Sequence, residues 1–334
     1  MPAEWERHQA TWISWPHKES SWPGKLDVIQ PVFARFVAAL AQSETVHLNV
    51  RDADMERHAR TQLAAVNATG DIRIHHFPTN DAWCRDYGAI FVKRDKEPAL
   101  AATDWGYNAW GGKYPPFDLD NLIPALMAET LGTPRYEGGM ILEGGSIDVN
   151  GAGLLMTSEA CLLNPNRNPH LGRGEIETRM RDYLGIDEFL WLGDGIVGDD
   201  TDGHIDDLTR FVSADTVVTV VEDDPADENF EPLRDNLKRL KAFRTRAGKS
   251  LRIVEIPMPK PVVWEDQRLP ASYANFYIAN TAVLLPTYHD PNDALAKERL
   301  AEVFPGREIV AIDCTDLIWG LGAFHCLTQQ IPAP

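Results

Sequence analysis

The sequence predicts an α/β chain of five similar modules, each a few strands and one helix, disposed around a central axis, with residues 1–334 forming one domain. Three observations carry this expectation. Helix-like segments begin near residues 52, 119, 173, 229 and 292, so they recur at intervals of roughly 55 to 65 residues, and five such units fill the length. Short apolar runs of strand type lie between them. The third observation is the placement of polar motifs. "WCRDYG" with Asp86, "LEGGS" with Glu143, "GHIDD" with His204 and "AFHCLTQQ" with Cys326 are separated by 57, 61 and 122 residues, the last interval being twice the second. Equivalent positions of modules set around an axis point at one place, so four modules deliver two acids, a histidine and a thiol to a shared pocket. The omitted position falls near residue 265, by Trp264 and "ASYANFY".

Taken in chain order, the first helix spans 26–42, where Ile29, Phe33, Phe36, Val37 and Leu40 fall on one stripe. Strand "TVHLNV", a helix near 52–66, and strands "DIRIHHF" and "GAIFVK" follow. A helix near 119–131 leads to "SIDVNG" and "GLLMTS", and a helix near 173–184 to "DTVVTVV". The helix near 229–247 is followed by "LRIVEI" and "FYIANTAVLLP", and the helix near 292–304 by "EIVAIDC". No low-complexity segment or Gly/Ser linker divides the chain, and the structural period has no counterpart as a sequence repeat.

Composition narrows the classes of partner. With 44% hydrophobic and 25% charged residues the chain is ordinary globular protein, and 32 Lys and Arg against 50 Asp and Glu give a net charge of -18. That charge disfavours nucleic acid and anionic membranes and suits a small cation. Cys84, Cys161, Cys314 and Cys326 are far apart and form no C-x-x-C, so neither a zinc knuckle nor a disulfide scaffold is indicated. The N-terminus is charged throughout and no segment is apolar for long enough to span a bilayer, so a cytoplasmic protein is expected, compatible with a homo-oligomer. "GLG" at 320–322 lacks the third Gly of a dinucleotide loop, and no cofactor is implied.

"GDDTDGHIDDL", residues 198–208, concentrates acids around one histidine. If His204-Ile205-Asp206 is extended, His204 and Asp206 share a face. Asp199, Asp200, Asp202 and Asp207 are read as loop or cap residues, and Cys84, Cys161 and Cys314 as inert buried thiols. A calcium loop fails here, because Gly198 and Thr209 occupy its first and twelfth positions. A thiol, a histidine and separate acids leave two chemistries. One is a Cys-His hydrolase of the protease kind, in which His204 serves Cys326 better than the adjacent His325, since neighbouring side chains on a strand diverge. The other is attack on a cationic electrophile such as a guanidinium, which carboxylates hold in bidentate pairs while Cys attacks its central carbon and His moves the protons. The extra acid is explained only by the second. Trp83 and Trp110 are read as pocket wall or core, with stacking on a cation open to either. Arg85 is expected to pair with its neighbour Asp86, leaving Lys113 and Arg167 as the visible cations near the motifs.

The ordered set "PAEWERHQATWISWP", "WCRDYGAIFV", "YNAWGGKYPPFDLDN", "EGGSIDVNG", "LLNPNRNP", "GHIDD", "ASYANFY" and "HCLTQQIP" resembles the agmatine deiminase family, grouped with bacterial peptidylarginine deiminases, over nearly the whole chain. The resemblance implies the pentein fold, an α/β propeller of five pseudo-symmetric modules around a central active site. It implies Cys326 as nucleophile, His204 as general acid and base, Asp86 and Asp206 as guanidinium clamps, and Glu143 as a partner of a guanidinium nitrogen that assists His204. The implied reaction needs no cofactor or metal and converts a small guanidine, agmatine, to N-carbamoylputrescine and ammonia. Deimination of free arginine or peptidyl-arginine, amidino transfer, and non-enzymatic guanidine binding are the alternatives. The sequence departs from the family pattern at "GLGAFHC", where Ala323 and Phe324 replace a Gly-rich run, and at Ala89, where Pro is usual.

Overall fold

The computed structural model describes residues 1–334, and its strands fall into five sheets of one plan plus a small ribbon. Four sheets are three-stranded: β4 (Ile90–Lys93), β5 (Leu100–Gly106) and β6 (Arg135–Ile141); β7 (Ile147–Val149), β8 (Leu154–Ser158) and β9 (Glu188–Leu192); β10 (Thr209–Ser213), β11 (Thr216–Val221) and β12 (Arg252–Pro257); and β15 (Tyr277–Ile278), β16 (Ala282–Thr287) and β17 (Glu308–Asp313). In each, the first two strands form an antiparallel hairpin and the third joins in parallel after a helix. A parallel partner requires such a crossover, and this is why one helix recurs per module. The helices are Ile123–Leu131, Arg173–Leu184, Phe230–Ala242 and Asn292–Val303.

The remaining sheet joins the two ends of the chain. Its order is β18 (Thr328–Pro332), β1 (His8–Ser14), β2 (Thr45–Val50) and β3 (Ile72–His76). Here β18 runs antiparallel to β1, with Ile13 opposite Thr328, and takes the hairpin position, while β2 and β3 continue in parallel across the helices Leu26–Leu40 and Ala53–Ala65. The last strand thus completes the first module and carries Cys326 to the centre, two residues ahead of it.

The stripe Ile29, Phe33, Phe36, Val37 and Leu40 is fully buried as its spacing predicts, each large side chain contributing about 1.5–3 kcal/mol. Phe36 stacks on Phe324 with centroids 4.6 Å apart, so Phe324 belongs to the core and fixes the chain just before Cys326. Ala89 is buried and its N–H donates to Met127 Sδ at 3.4 Å, a contact proline lacks. Neither departure from the family pattern lines the central cavity.

Three local expectations change. The helix expected over 229–247 ends at Ala242, because Phe243 turns extended and residues 244–250 have no buried face to hold a further turn. The run at 276–286 is two strands around a turn at Ala279–Thr281. Strands β1, β5, β6, β9, β10 and β18 lie where polar or aromatic residues interrupt the apolar signal; β18 is buried along its whole length although it reads TQQIP. No helix is long and apolar enough to cross a membrane.

Candidate active site

The acids, the histidine and the thiol of the spaced motifs sit in the short segment just ahead of a module's first strand. Asp86 lies in the turn Cys84–Tyr87 before β4, Glu143 precedes the turn Gly144–Ser146 before β7, and His204 and Asp206 precede β10. Asn275 stands two residues before β15, as Cys326 does before β18. The turn before β7 packs against those before β4 and β10, and the recurrence of this position from module to module gives the regular motif spacing. The fifth position comes at Asn275 instead of near 265 because the ribbon β13 (Val263–Trp264) and β14 (Gln267–Arg268) is inserted between β12 and β15.

His204 and Asp206 reach the same place by another route than the alternation suggested. Gly203 has φ +99°, and Ile205–Asp207 forms a single 3-10 turn instead of a strand. His204 Nδ1 lies 3.8 Å from Asp86 Oδ1 and 3.9 Å from Asp206 Oδ1, and neither ring nitrogen has a hydrogen bond. Gly145 forms the floor between these groups. A Cβ there would fall 2.6 Å from His204 Nδ1 and 2.8 Å from Asp86 Oδ1, and the Gly145 N–H donates to Asp86 Oδ1 at 2.9 Å.

Cys326, 5% exposed, lies at the base of a cavity walled by Trp83, Trp110, Trp264 and Trp319, with Asp81 and Asp200 also lining it. Its Sγ accepts from Asn275 Nδ2 at 3.0 Å and stands 3.6 Å from Asp206 Oδ2. Asp86 lines the same cavity, while His204, Asp206 and Glu143 stand behind it, closed from solvent. Trp110 is more than wall: its indole N–H donates to Asp86 Oδ2 at 3.0 Å. It is aimed there by a run of positive φ from Ala109 to Gly112, with Asn108 Oδ1 accepting the Gly111 N–H.

Burial opposes the imidazolium of His204, yet Asp86, Cys161 and Asp206 outweigh it and hold its pKa well above the ordinary value. The Cys326 thiol is driven up, first by burial and then by Asp206, Asp207 and Asp86. The two clamp candidates diverge. Burial lifts Asp86 to about 6 despite the His204 charge, whereas for Asp206 the burial penalty is overcome by the hydrogen bond and charge of His325 and its carboxyl is held below the usual range.

Several neighbours differ from expectation. Arg85 does not pair with Asp86: it turns away to the His325 carbonyl, Gln330 Oε1 at 2.6 Å and Glu4. Arg167 Nε donates to Glu143 Oε1 at 2.6 Å and its Nη1 to Asp202 Oδ2 at 2.5 Å, and Lys113 also holds Asp202, at 2.7 Å. Both candidate cations are therefore engaged. Asp199 acts as the cap residue expected, accepting from the Gly203 and His204 amides, but Asp207 is buried and accepts from Asn275 Nδ2 at 2.9 Å, steadying the amide that meets the thiol. Cys161 is buried as expected, yet beside the site: its thiol and the Glu143 and His204 ligand atoms lie within 4.8 Å of one another. Arg167 holds one oxygen of Glu143, and burial raises the pKa of the Cys161 thiol. Asn275 and Glu4 lie outside the residues given a role from sequence, and Asp207, read there as a loop or cap residue, instead supports the site. Asn275 lies in the quoted "ASYANFY" and is accessible through module phase; Glu4 has no local signal.

The model of the Porphyromonas-type peptidyl-arginine deiminase family matches residues 1–332. The agmatine deiminase of Pseudomonas aeruginosa (strain LESB58) is 37% identical over 100% of this chain and 95% of its own. The solved agmatine deiminase of Enterococcus faecalis superposes with TM-score 0.93 at 32% identity, covering 99% of this chain and 95% of that one. A C. jejuni agmatine deiminase solved with substrate bound gives TM-score 0.89 at 33% identity, with the same coverage. The five-module architecture shared with these structures is the pentein fold. Matched in sequence and architecture from the segment that carries Glu4 to the strand that completes the first module, this chain belongs to the Porphyromonas-type peptidyl-arginine deiminase family.

Proposed function

We propose that this protein is an agmatine deiminase, a hydrolase that converts the guanidinium of agmatine to N-carbamoylputrescine and ammonia, with residues 1–334 acting as one catalytic domain. The observation that carries the reading is a buried thiol at the base of an aromatic-walled acidic cavity, beside two carboxylates and a histidine whose ring nitrogens are unengaged. Asp86 and Asp206 would hold the guanidinium nitrogens, and Glu143 Oε2, which has no partner, is placed to take another. With the guanidinium bound beside it, the Cys326 thiol gives up its proton to solvent, and the resulting Sγ thiolate attacks the guanidinium carbon. The tetrahedral adduct expels ammonia, protonated by His204, and leaves an amidino-thioether cation. His204, now neutral, takes a proton from water, whose oxygen attacks the same carbon; collapse releases the ureido product and returns the thiol. Trp83 and Trp110 flank the path of the alkyl chain.

Substrate choice follows from charge. The cavity is lined by Asp81, Asp86 and Asp200 and by no Lys or Arg, so an amine tail is welcome and an α-carboxylate meets no cation. We expect kcat/KM for agmatine to exceed that for free arginine by at least about 100-fold, roughly 2.7 kcal/mol. Comparable values would refute the assignment of agmatine, and preference for peptidyl-arginine would show the cavity open at its outer end. Amidino transfer is separated from hydrolysis by whether ammonia is released without an acceptor amine.

The Asp86 pKa sets a pH dependence. Its carboxyl is raised to about 6, so it is neutral below that pH and clamps the permanently charged guanidinium only above it. The expected kcat/KM profile breaks near pH 6 and loses a further factor of about ten per unit below it. An acidic limb near pH 4 instead would mean that burial does not perturb Asp86.

A further inference from the structure

We propose that Glu4, in the N-terminal segment, is a positioning residue for the guanidinium-binding carboxylate of Asp206 and acts through His325; the inference rests on the reading of the site as a guanidine deiminase. His325 adjoins the nucleophile in sequence but points away from the cavity. Its Nδ1 meets Asp206 Oδ2 at 2.6 Å and its Nε2 meets Glu4 Oε2 at 2.7 Å. All three side chains are buried. An ionised carboxylate can only accept, so each contact needs an N–H and both ring nitrogens of His325 donate. The arrangement is a carboxylate–imidazole–carboxylate chain in which the far acid balances the near one across the ring.

Glu4 is itself held from several modules. Oε2 also accepts from Arg210 Nη2 at 2.9 Å and lies 3.5 Å from Arg85 Nη2, while Oε1 accepts the Ile278 N–H at 2.9 Å. Arg210 further binds Asp148 at 3.0 Å and the carbonyls of Ala274 and Phe276, which flank the Asn275 that donates to the thiol. A residue near the start of the chain thus ties the turns before β10, β15 and β18 to one point.

The consequence falls on Asp206. Its Oδ2 is fixed by His325, while Oδ1 has no partner and faces His204, so one oxygen is anchored and the other is presented. The charged and titratable groups around this carboxyl are His325, His204, Cys326, Arg210, Asp86 and Asp207. Of these, His325 alone makes a short hydrogen bond to it. Asp86, equally buried but hydrogen-bonded only by the neutral Trp110 indole and Gly145 amide, shows the alternative, a carboxyl pushed up to about 6. Losing the Glu4 charge removes the carboxylate that holds the far side of the His325 ring, weakens the ring's bond to Asp206 Oδ2 and moves Asp206 in that direction.

The test compares alkylation of Cys326 by chloroacetamidine, whose cation needs the clamps, with alkylation by neutral chloroacetamide. Rates are followed on the Cys326 peptide by mass spectrometry from pH 5 to 8. Folded protein is isolated by size exclusion before each reaction, because an unfolded chain exposes Cys326 to both reagents and would lower the ratio without any change at Asp206. For Glu4→Gln and, independently, His325→Gln, the ratio at pH 7 is expected to fall at least tenfold. In Glu4→Gln it is expected to recover toward the wild-type value as pH rises and Asp206 ionises again. Ratios equal to wild type at every pH in both variants overturn the proposal, as does a wild-type ratio near one. A high wild-type ratio that collapses in the variants, in a protein that does not hydrolyse agmatine, sinks the substrate reading and leaves this one standing.

Discussion

Replacing Cys326 by Ala or Ser is expected to reduce agmatine turnover by more than about 10⁴-fold while leaving the fold and guanidinium binding in place. Asp86 and Asp206 are held by partners other than the thiol: Asp86 by the Trp110 indole and the Gly145 amide, Asp206 by His325. Calorimetry on Cys326→Ala should therefore still detect agmatine binding. The native thiol is not a standing nucleophile, because burial and the surrounding carboxylates disfavour its anion. The compensating charge arrives with the guanidinium, so nucleophile and substrate are activated together and neutral electrophiles are spared. A serine in the same position keeps the Asn275 contact but not an acidity that a bound cation brings within reach near neutral pH. An Ala variant that still releases ammonia at near the wild-type rate would remove the covalent route altogether.

The portions of this site that lie on the module period were legible in the sequence, and those held by distant contacts were not. Asp86, Glu143, His204 and Cys326 share a phase because each precedes the first strand of a sheet. The same phase pointed to a fifth contribution by "ASYANFY", and only the inserted ribbon at Val263–Arg268 displaced it. Strand prediction worked where both faces are apolar, as in "TVVTVV" of β11, and failed at β1 and β18, whose polar side chains are buried at module junctions; Thr11 and Gln330, for example, bind Tyr277 and Arg85. Arg85 shows why adjacency misleads. In the tight turn Cys84–Tyr87 it and Asp86 leave in different directions, one to the charge network and one to the cavity. Glu4 bonds Arg210, 206 residues away, and no local pattern encodes a contact of that range.

His204→Gln is expected to be nearly as damaging as loss of the thiol, by about 10³-fold or more, because one imidazole serves both half-reactions and a general acid or base contributes about 10²–10⁴ to a step. The geometry gives the reason. Both ring nitrogens are free of hydrogen bonds, and Nδ1 is placed between Asp86 and Asp206 at 3.8 and 3.9 Å, so the ring has charge on either side but no partner that would have to be broken before a proton moves. Since its pKa is raised well above the usual histidine value, it is protonated through neutral pH and enters the reaction as the acid that ammonia needs. Ammonia release in a single turnover should therefore hold through neutral pH and decline only as pH climbs past the raised value and the imidazolium is lost. Glutamine fills similar space but exchanges no proton, so both expulsion of ammonia and activation of water should slow. Rapid quench with mass analysis of the Cys326 peptide separates the two steps. If both half-reactions depend on His204, little amidino adduct forms; a full equivalent of adduct accompanied by a stoichiometric burst of ammonia would confine the histidine to the hydrolytic half and exclude it as the source of the leaving-group proton.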